Sequence, residues 1–380
     1  MNTRLRPPVT VETVRTSAAL RAFASMSARV QGADPCFVPP LVDARMRELR
    51  RASRGPQRVE LFLARRGATP VGSIAVIDDP EHAAVHDEGV VFFGYFECAR
   101  DSEAARALLD AAREQARSWD ARTLRGPRNL TRTSETGVLV DGFETKPPML
   151  AGHAPPWYAE LLEGAGLRPH HDVLAWELPV VGPDGERAPP PKVVARHLER
   201  AGRIEGLSLR PASWLHVMRD LRLAHRVFVE AFRDVPDNTP MSLARWLRTG
   251  IVFLLLSSRH MLQIATVHGE AVGFALCFPD LNEAIGAMKG SLFPLGWLRF
   301  LRSVPRIRTA SFKLLGVVPE HRFTGLQLLM AHQATSGSWA AGYRRVEASL
   351  VDARNRPMCR MLELCDARVY RRYRVYEVEV

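Results

Sequence analysis

The residues best placed to do chemistry in this 380-residue chain lie in GVVPEHRFTGLQLLM, residues 316–330. An apolar run through Gly316, Val317 and Val318 stops at Pro319, a polar loop brings Arg322, Phe323, Thr324 and Gly325, and an amphipathic helix is predicted to open at Leu326 and Gln327. The first turn of a helix has N–H groups without intrahelical partners and the positive end of the helix dipole, and glycine allows close backbone approach. A strand–loop–helix junction with an arginine beside it therefore suits a pyrophosphate. Downstream, Glu347 in VEASLVD alternates with Val346, Ala348 and Leu350, so it shares one side of a strand with Ser349. A carboxylate there serves either as a salt-bridged strand residue or as a base that takes a proton from an ammonium.

Other polar clusters are less specific. Asp280, Asn282 and Glu283 follow the apolar segment AVGFALCF, where they could meet a substrate amine or form an Asx-type turn that caps a helix. Arg125, Arg128 and Asn129 of RGPRNL could hold a carboxylate substrate. His153, beside Pro155, Pro156, Trp157 and Tyr158, could face a cleft or be an ordinary loop residue. Tyr370, Tyr373 and Tyr376 recur every third residue, which in a strand scatters them over two faces; Tyr373 is a candidate acid, with packing as its alternative role. The five cysteines form no CxxC pair and no Cys/His cluster, so neither a disulfide framework nor a metal is expected.

These residues must be positioned by an ordinary globular chain. With 46% hydrophobic and 24% charged residues, disordered and fibrous classes drop out, and the length allows more than one core. The longest strongly apolar run, Ile251 to Leu256, is far too short for a bilayer span, and MNTRLRPPVT lacks a signal-peptide core, so the expected location is cytoplasmic. Residues 1–180 contain 23 basic and 23 acidic side chains, whereas 181–380 contain 29 and 18, which is the whole net charge of +11. The second half is built to meet something anionic. Only four of the 52 basic residues are lysines, a bias that a GC-rich genome explains.

The proline- and glycine-rich stretch 181–192 reads as a linker between domains at 1–180 and 193–380. The first half is expected to give a strand at PVTVETV, helices at 17–30 and 42–51, strands VELFLARR and VGSIAVIDD, strand GVVFFGYFE, helix 102–119, a strand near TLRGP, a long loop, helix APPWYAELLEGAGL and strand VLAWELPV. The second gives LSLRP, helices at 214–232 and 242–248, and strands MLQIATVHG and AVGFALCFPD turned at His268-Gly269. Strand SFKLLGVVPE, helix 326–343, strand VEASLVD, helix PMCRMLELCDA and strand RVYRRYRVYEVEV complete it. The order repeats, as expected of a duplicated α/β domain. Between the repeats' elements, SLFPLGWLRFLRSVPRIR sets apolar residues beside Arg299, Arg302, Arg306 and Arg308; it could be an inter-domain packing helix, a lid over an acyl chain, or an interfacial membrane helix.

The 316–330 segment resembles motif A of the GNAT superfamily of N-acetyltransferases, in which a strand ending V-x-P leads into R/Q-x-x-G-x-G/A and grips the pyrophosphate of acetyl-CoA. Arg322 and Gly325 match, while Gln327 replaces the last small residue. Asn355, Met358, Met361 and Leu362 look like the family's N-x-x-A-x-x-L-Y helix, with Leu362 at the place of the usual tyrosine acid. DPCFVPPL, GYFE, RGPRNL, GVLVDGF, PPWYAELLEGAGL, FPDLNEAI and YRVYE resemble pieces of a narrower bacterial group with two GNAT-like halves, so the likeness spans nearly the whole chain. It implies an α/β (α+β) fold of two tandem GNAT-like domains, each a mixed, mostly antiparallel twisted sheet flanked by helices. It also implies acetyl-CoA or another acyl-CoA held by residues 316–318, 322–327 and Asn355, and an oxyanion donor on the strand at Gly316 to Val318.

In the first half, CARDSEAARALL has Asp101 and Glu103 where a pyrophosphate would sit, so that half is expected to be degenerate. The expected function is acyl transfer from acyl-CoA to a small-molecule amine, with Glu347 as base. Alternatives are an acyl-carrier-protein donor, a non-catalytic sensor or scaffold, and an aminoacyl-tRNA-dependent transferase; nucleic-acid binding is disfavoured because no basic run of five occurs. A glutamate at Gly325 is expected to block the anion and spare the fold.

Overall fold

The computed structural model describes residues 6–380 apart from 87, 131–134, 236, 240 and 257–260. The first half of the chain forms β1 (Val9–Thr13), α1 (Ser17–Ala24), α2 (Met26–Gln31), α3 (Val42–Ala52), β2 (Arg58–Arg66), β3 (Thr69–Asp78), α4 (Pro80–Ala83), β4 (Val90–Cys98), α5 (Ser102–Ser118), β5 (Thr123–Gly126), β6 (Val138–Asp141), α6 (Trp157–Gly164) and β7 (Arg168–Leu178). It continues with α7 (Lys192–Ala201), β8 (Leu207–Pro211), α8 (Val217–Ala231), α9 (Leu243–Leu256), β9 (Leu262–Val267), β10 (Glu270–Pro279), α10 (Asn282–Ile285), α11 (Gly296–Ser303), β11 (Thr309–Val317), α12 (Leu326–Ala340), β12 (Arg345–Asp352), α13 (Arg356–Leu364) and β13 (Arg368–Glu379). Two units result: 1–173 with 282–305 and 371–380, and 174–281 with 306–370.

In the first unit the strands run β1, β2, β3, β4, β5, followed by the end of β13, which pairs antiparallel with β5 from Tyr376↔Gly126 to Glu379↔Thr123. The β4–α5–β5 crossover makes the one parallel step, Val90↔Thr123 to Phe92↔Arg125. A strand covered on both sides needs apolar residues at consecutive positions, and VVFFGYFEC is buried throughout except at Glu97, which is partly buried. Helix α5 lays Ala104, Ala105, Leu108, Leu109, Ala112 and Ala116 on the sheet, the face its spacing specifies.

The second unit repeats the plan as β8, β9, β10, β11, β12, with β7 beside β12. Its hairpin turns at His268 and Gly269, both at positive φ, as a two-residue turn between twisted strands requires. The parallel step β11–α12–β12 runs only from Thr309↔Arg345 to Phe312↔Ala348. The core gathers Phe228, Trp246, Phe274, Phe312, Leu326 and Met330 between helices and sheet. The α/β class and the mostly antiparallel, helix-flanked sheets stand as expected.

Helices α4 and α7 and strand β6 went unread in the sequence, and helix α9 runs longer than expected. Helix α7 follows Pro189 to Pro191 directly, with Pro191 as its N-cap, and buries Val194 and Ala201. Strand β6, four residues long, lies in the stretch read as loop and pairs with β13. Helix α9 extends through the apolar run to Leu256 rather than stopping at Arg248.

Strand β8 and helix α8 are joined by a carboxylate that water does not reach. Asp220 accepts from Arg210 Nη1 and Nη2 at 2.9 and 2.6 Å and from the Ser213 amide at 2.8 Å. Burial alone would raise this carboxyl, but Arg210 and the amide outweigh it and hold it below its ordinary value. Arg210 stays 39% exposed and can rehydrate, so Asp220→Ala is expected to cost about 2 kcal/mol, less than a fully buried pair. Because the folded carboxyl is depressed, that stabilisation is present above the unfolded carboxylate range and lost as pH falls below it. Urea unfolding of both proteins at neutral and acid pH checks this; a variant as stable as the parent at neutral pH contradicts it.

Candidate active site

Strand β11 stays paired to β10 as far as Val317↔Gly273 but leaves β12 after Phe312. The register with β10 slips by one residue between Cys277↔Phe312 and Leu276↔Leu314, which makes Lys313 the extra residue of a bulge. The strand bends there and opens a wedge between β11 and β12. Val318 donates its amide to Val272 O at 2.9 Å, so strand alternation turns the Val317 N–H toward the open side. Gly316 is required by packing, since a Cβ there would sit 2.7 Å from Phe274 Cε1.

The wedge leads to the loop that opens α12. Gly325, at φ +90°, is the N-cap, no side chain caps the helix, and its first turn has no acidic residue. Thr324 stiffens the loop, donating to His321 O at 2.8 Å, with its Oγ1 at 3.4 Å from the Leu326 amide. Phe323 is 84% exposed. Arg322 donates to Ala231 O at 2.9 Å, lies 3.8 Å from the exposed Asp234 carboxylate, and has a partly exposed side chain. A Cβ on Gly325 would lie 2.6 Å from the His197 carbonyl oxygen of α7. The expectation that glutamate at 325 spares the fold is therefore corrected, because the conformation and the contact both exclude a side chain.

At the apex of the wedge sits a polar quartet. Glu347, 1% exposed, accepts from Ser311 Oγ and, at 3.3 Å, from Lys313 Nζ; Lys313 also donates to Ser349 Oγ. Glu347 Oε2 is buried with no partner among the described residues. Ser311 and Glu347 are opposite each other in the last paired stretch, and Lys313 and Ser349 lie just beyond it, so the network runs from core to opening.

The equivalent helix start in the first unit is filled. Asp101 caps α5 through the Ala104 amide at 3.2 Å, and Arg66 binds Asp101 and Glu103 at 2.8 Å each. Burial would raise the Asp101 carboxyl, but Arg66 and the amide hold it low. Two carboxylates and their arginine leave an anion no place there. Strand β4 also distorts, at Tyr95 with φ +49°, whose amide donates to Asn129 Oδ1 at 2.7 Å.

Beyond that distortion lies a group that sequence reasoning missed. Glu97 Oε2 accepts from Tyr158 Oη at 2.7 Å and Gln31 Nε2 at 2.8 Å. Burial pushes its carboxyl up to about 7, although the Tyr158 and Gln31 bonds pull against this. The available signal was an isolated carboxylate closing an apolar strand, GYFE, with Trp157 and Tyr158 in PPWYAELLEGAGL.

The remaining expected residues have intramolecular partners. Arg128 pairs with Asp79 and lies over the Phe92 ring, and Asn129 also donates to Glu135 at 2.8 Å. Asn282 donates to Pro147 O and Pro148 O at 3.1 Å each; Glu283, exposed, begins α10 with it, while Asp280, buried, belongs to the second unit. Asn355 caps α13 through Met358 N at 3.3 Å. Tyr373, buried in the first unit, donates to Gly152 O at 3.2 Å. His153 is held between Asp34 at Nε2 and Arg371 at Nδ1, 3.0 and 2.9 Å away, and burial, the largest influence, lowers its pKa. A neutral ring whose Nδ1 lone pair faces Arg371 has none left to act as base.

Comparison with known proteins bears on the fold. The tandem GNAT protein from the clavulanic acid biosynthesis pathway superposes with a TM-score of 0.55 at 16% identity, covering 98% of each chain. The fold is that of the tandem GNAT proteins. No protein-family profile matches the chain. It is similar to the bacterial ceramide synthase of Caulobacter vibrioides, 28% identical over 376 residues and 96% of each protein. It is also similar to Protein YghO of Escherichia coli, 27% identical over 369 residues, 95% of this chain and 93% of that protein. The duplication read from the order of elements thus has a GNAT structural counterpart over the full length.

The raised Glu97 carboxyl sets a pH dependence. A group protonated in the fold and ionised when unfolded makes stability fall as pH rises from about 4.5 to about 7. Glu97→Gln removes that loss, so its stability relative to the parent is expected to rise by about 3 kcal/mol between pH 5 and 8. Denaturant titrations across this range check it, and parallel pH profiles contradict it.

Proposed function

We propose that the protein is an N-acyltransferase that moves an acyl group from a coenzyme A thioester to an amine, with the second unit holding the thioester. The observation that carries this reading is the wedge between β11 and β12 leading straight to the uncapped α12 start at Gly325. An extended thioester arm fits along the unpaired side of β11 while the pyrophosphate takes the α12 N–H groups and the Arg322 charge. The coarser part, a GNAT acyltransferase fold, is already supported by structural likeness.

The reaction forms a C–N bond as the amine attacks the thioester carbonyl carbon and breaks the C–S bond, releasing coenzyme A as its thiol. The Val317 N–H is the donor for the carbonyl oxygen as it gains negative charge. The amine arrives as an ammonium and gives its first proton to Glu347, reached from the opening through Lys313 and Ser349, and the proton its nitrogen sheds as the C–N bond forms passes to the departing sulfur. The first unit, with its helix start closed by Asp101, Glu103 and Arg66, holds no cofactor in this reading.

The acceptor class comes from the relative named a ceramide synthase, matched over 96% of both proteins. A ceramide is an amide of a long-chain base, so the proposed pair is a fatty acyl-CoA and a long-chain lipid amine.

Calorimetric titration with acetyl-CoA and with palmitoyl-CoA tests the site. Palmitoyl-CoA is expected to bind more tightly, and Thr324→Glu, which sets a carboxylate at the α12 start, to weaken both about tenfold or more. Tight binding undiminished in that variant overturns the loop assignment. Glu347→Gln is expected to keep thioester affinity and lower amide formation from palmitoyl-CoA and sphinganine about a hundredfold, measured by mass spectrometry. An unchanged rate removes Glu347 from the mechanism.

A further inference from the structure

The least expected stretch of the sequence, between Lys289 and Ser303, falls in the first unit and buries little of its own apolar surface. Leu292, Phe293, Leu295, Trp297 and Leu301 are all exposed, Phe293 at 72% and Leu301 at 56%. Soluble proteins seldom gather large apolar side chains this way without a use for them. On α11, Trp297 and Leu301 are one turn apart and share a side, Leu298 extends it, and Arg302 and Arg299 follow round the helix. Gly296 is buried, and a Cβ there would meet the Ser291 carbonyl oxygen, so the loop folds tightly onto the helix start. Trp297 Nε1 donates to Pro294 O at 3.1 Å, its backbone N to Leu292 O at 3.0 Å, and Ser291 Oγ to Phe293 O at 2.7 Å. These bonds fix an apolar tip in place.

The tip's own stretch of chain has charges of one sign. No acidic residue occurs between Glu283 and Glu320 in the sequence. Lys289, Arg299 and Arg302 are exposed, and no carboxylate among the described residues pairs with them. No helix of the described residues is long and apolar enough to cross a membrane, so any lipid contact is made from the surface.

We propose that residues 289–303 dock the protein on an anionic phospholipid bilayer. Phe293, Leu295, Trp297 and Leu301 enter the boundary between headgroups and acyl chains, and Lys289, Arg299 and Arg302 lie against the phosphates. Aromatic and leucine residues on one side with arginines at the flank is the distribution an interfacial helix needs, and the lone cationic sign complements an anionic leaflet. A small tip of projecting side chains suits a deformable lipid surface, whereas a protein partner would require a shaped counterpart. The docking does not depend on the acyl-transfer reading and stands or falls without it.

Sedimentation of the full chain with vesicles tests it. Binding is expected to equimolar phosphatidylglycerol and phosphatidylcholine vesicles, to be far weaker on pure phosphatidylcholine, and to fall as salt rises. Leu295→Ser with Leu301→Ser is expected to lower partitioning about tenfold or more, with thermal unfolding unchanged because both side chains are exposed and neither holds the loop. Arg299→Glu with Arg302→Glu is expected to abolish the preference for the anionic vesicles. Failure of the parent protein to sediment with the anionic vesicles overturns the proposal, as does undiminished binding by both double variants. So does a parent dimer, in analytical ultracentrifugation, that the apolar substitutions disperse without any vesicle binding.

Discussion

The second unit depends on one local event, the slip of a single residue at Lys313. Up to Phe312 the strand β11 satisfies its backbone on both sides, with β10 and β12. The extra residue bends the strand, and parallel pairing, which needs evenly spaced bonds, cannot continue past the bend. A buried strand with an unpaired side is costly unless something extended can lie along it. The opening therefore follows from the bulge, and the loop at 319–325 follows from where the bent strand delivers the chain. Lys313, at the slip itself, is also the residue that ties Glu347 to Ser349.

The same plan is used in the first unit and ends differently. Strand β4 distorts at Tyr95, and α5 begins just beyond it as α12 does after β11. There Asp101 caps the helix and Arg66 neutralises it, where α12 has glycine as its N-cap and no carboxylate in its first turn. A carboxylate at a helix start and a bound anion satisfy the same donors, so one excludes the other. What the first unit keeps at its strand end is Glu97, poised by burial and held by Tyr158 and Gln31.

Much of this was legible before any coordinates, for reasons that are local. The strand-forming run VELFLARR, the His268-Gly269 turn, the helical spacing of α5 and the glycine before α12 are all set within a few residues. The carboxylates filling the α5 start were read correctly because capping is also local. What was not legible depends on partners far away in sequence. Asn129 answers a strand distortion at Tyr95, Arg128 an aspartate at 79, and His153 lies between residues 34 and 371. The chain of 371–380 completes the first unit's sheet beside β5, which no periodicity in β13 announces. Glu97 escaped for the opposite reason: a single carboxylate at the end of an apolar strand has no pattern, and only Tyr158 and Gln31 around it reveal its state.

In the proposed reaction the second unit alone holds the thioester, along β11 and at the start of α12. Hydrogen exchange measured by mass spectrometry with and without palmitoyl-CoA tests this most directly, because the amides concerned are those of residues 313–327. The expected result is slowed exchange confined to the peptides that cover 313–327, with the peptides covering 94–104 unchanged. Protection of 94–104 with 313–327 unaffected would contradict it, and would place the thioester on the unit whose helix start is already filled.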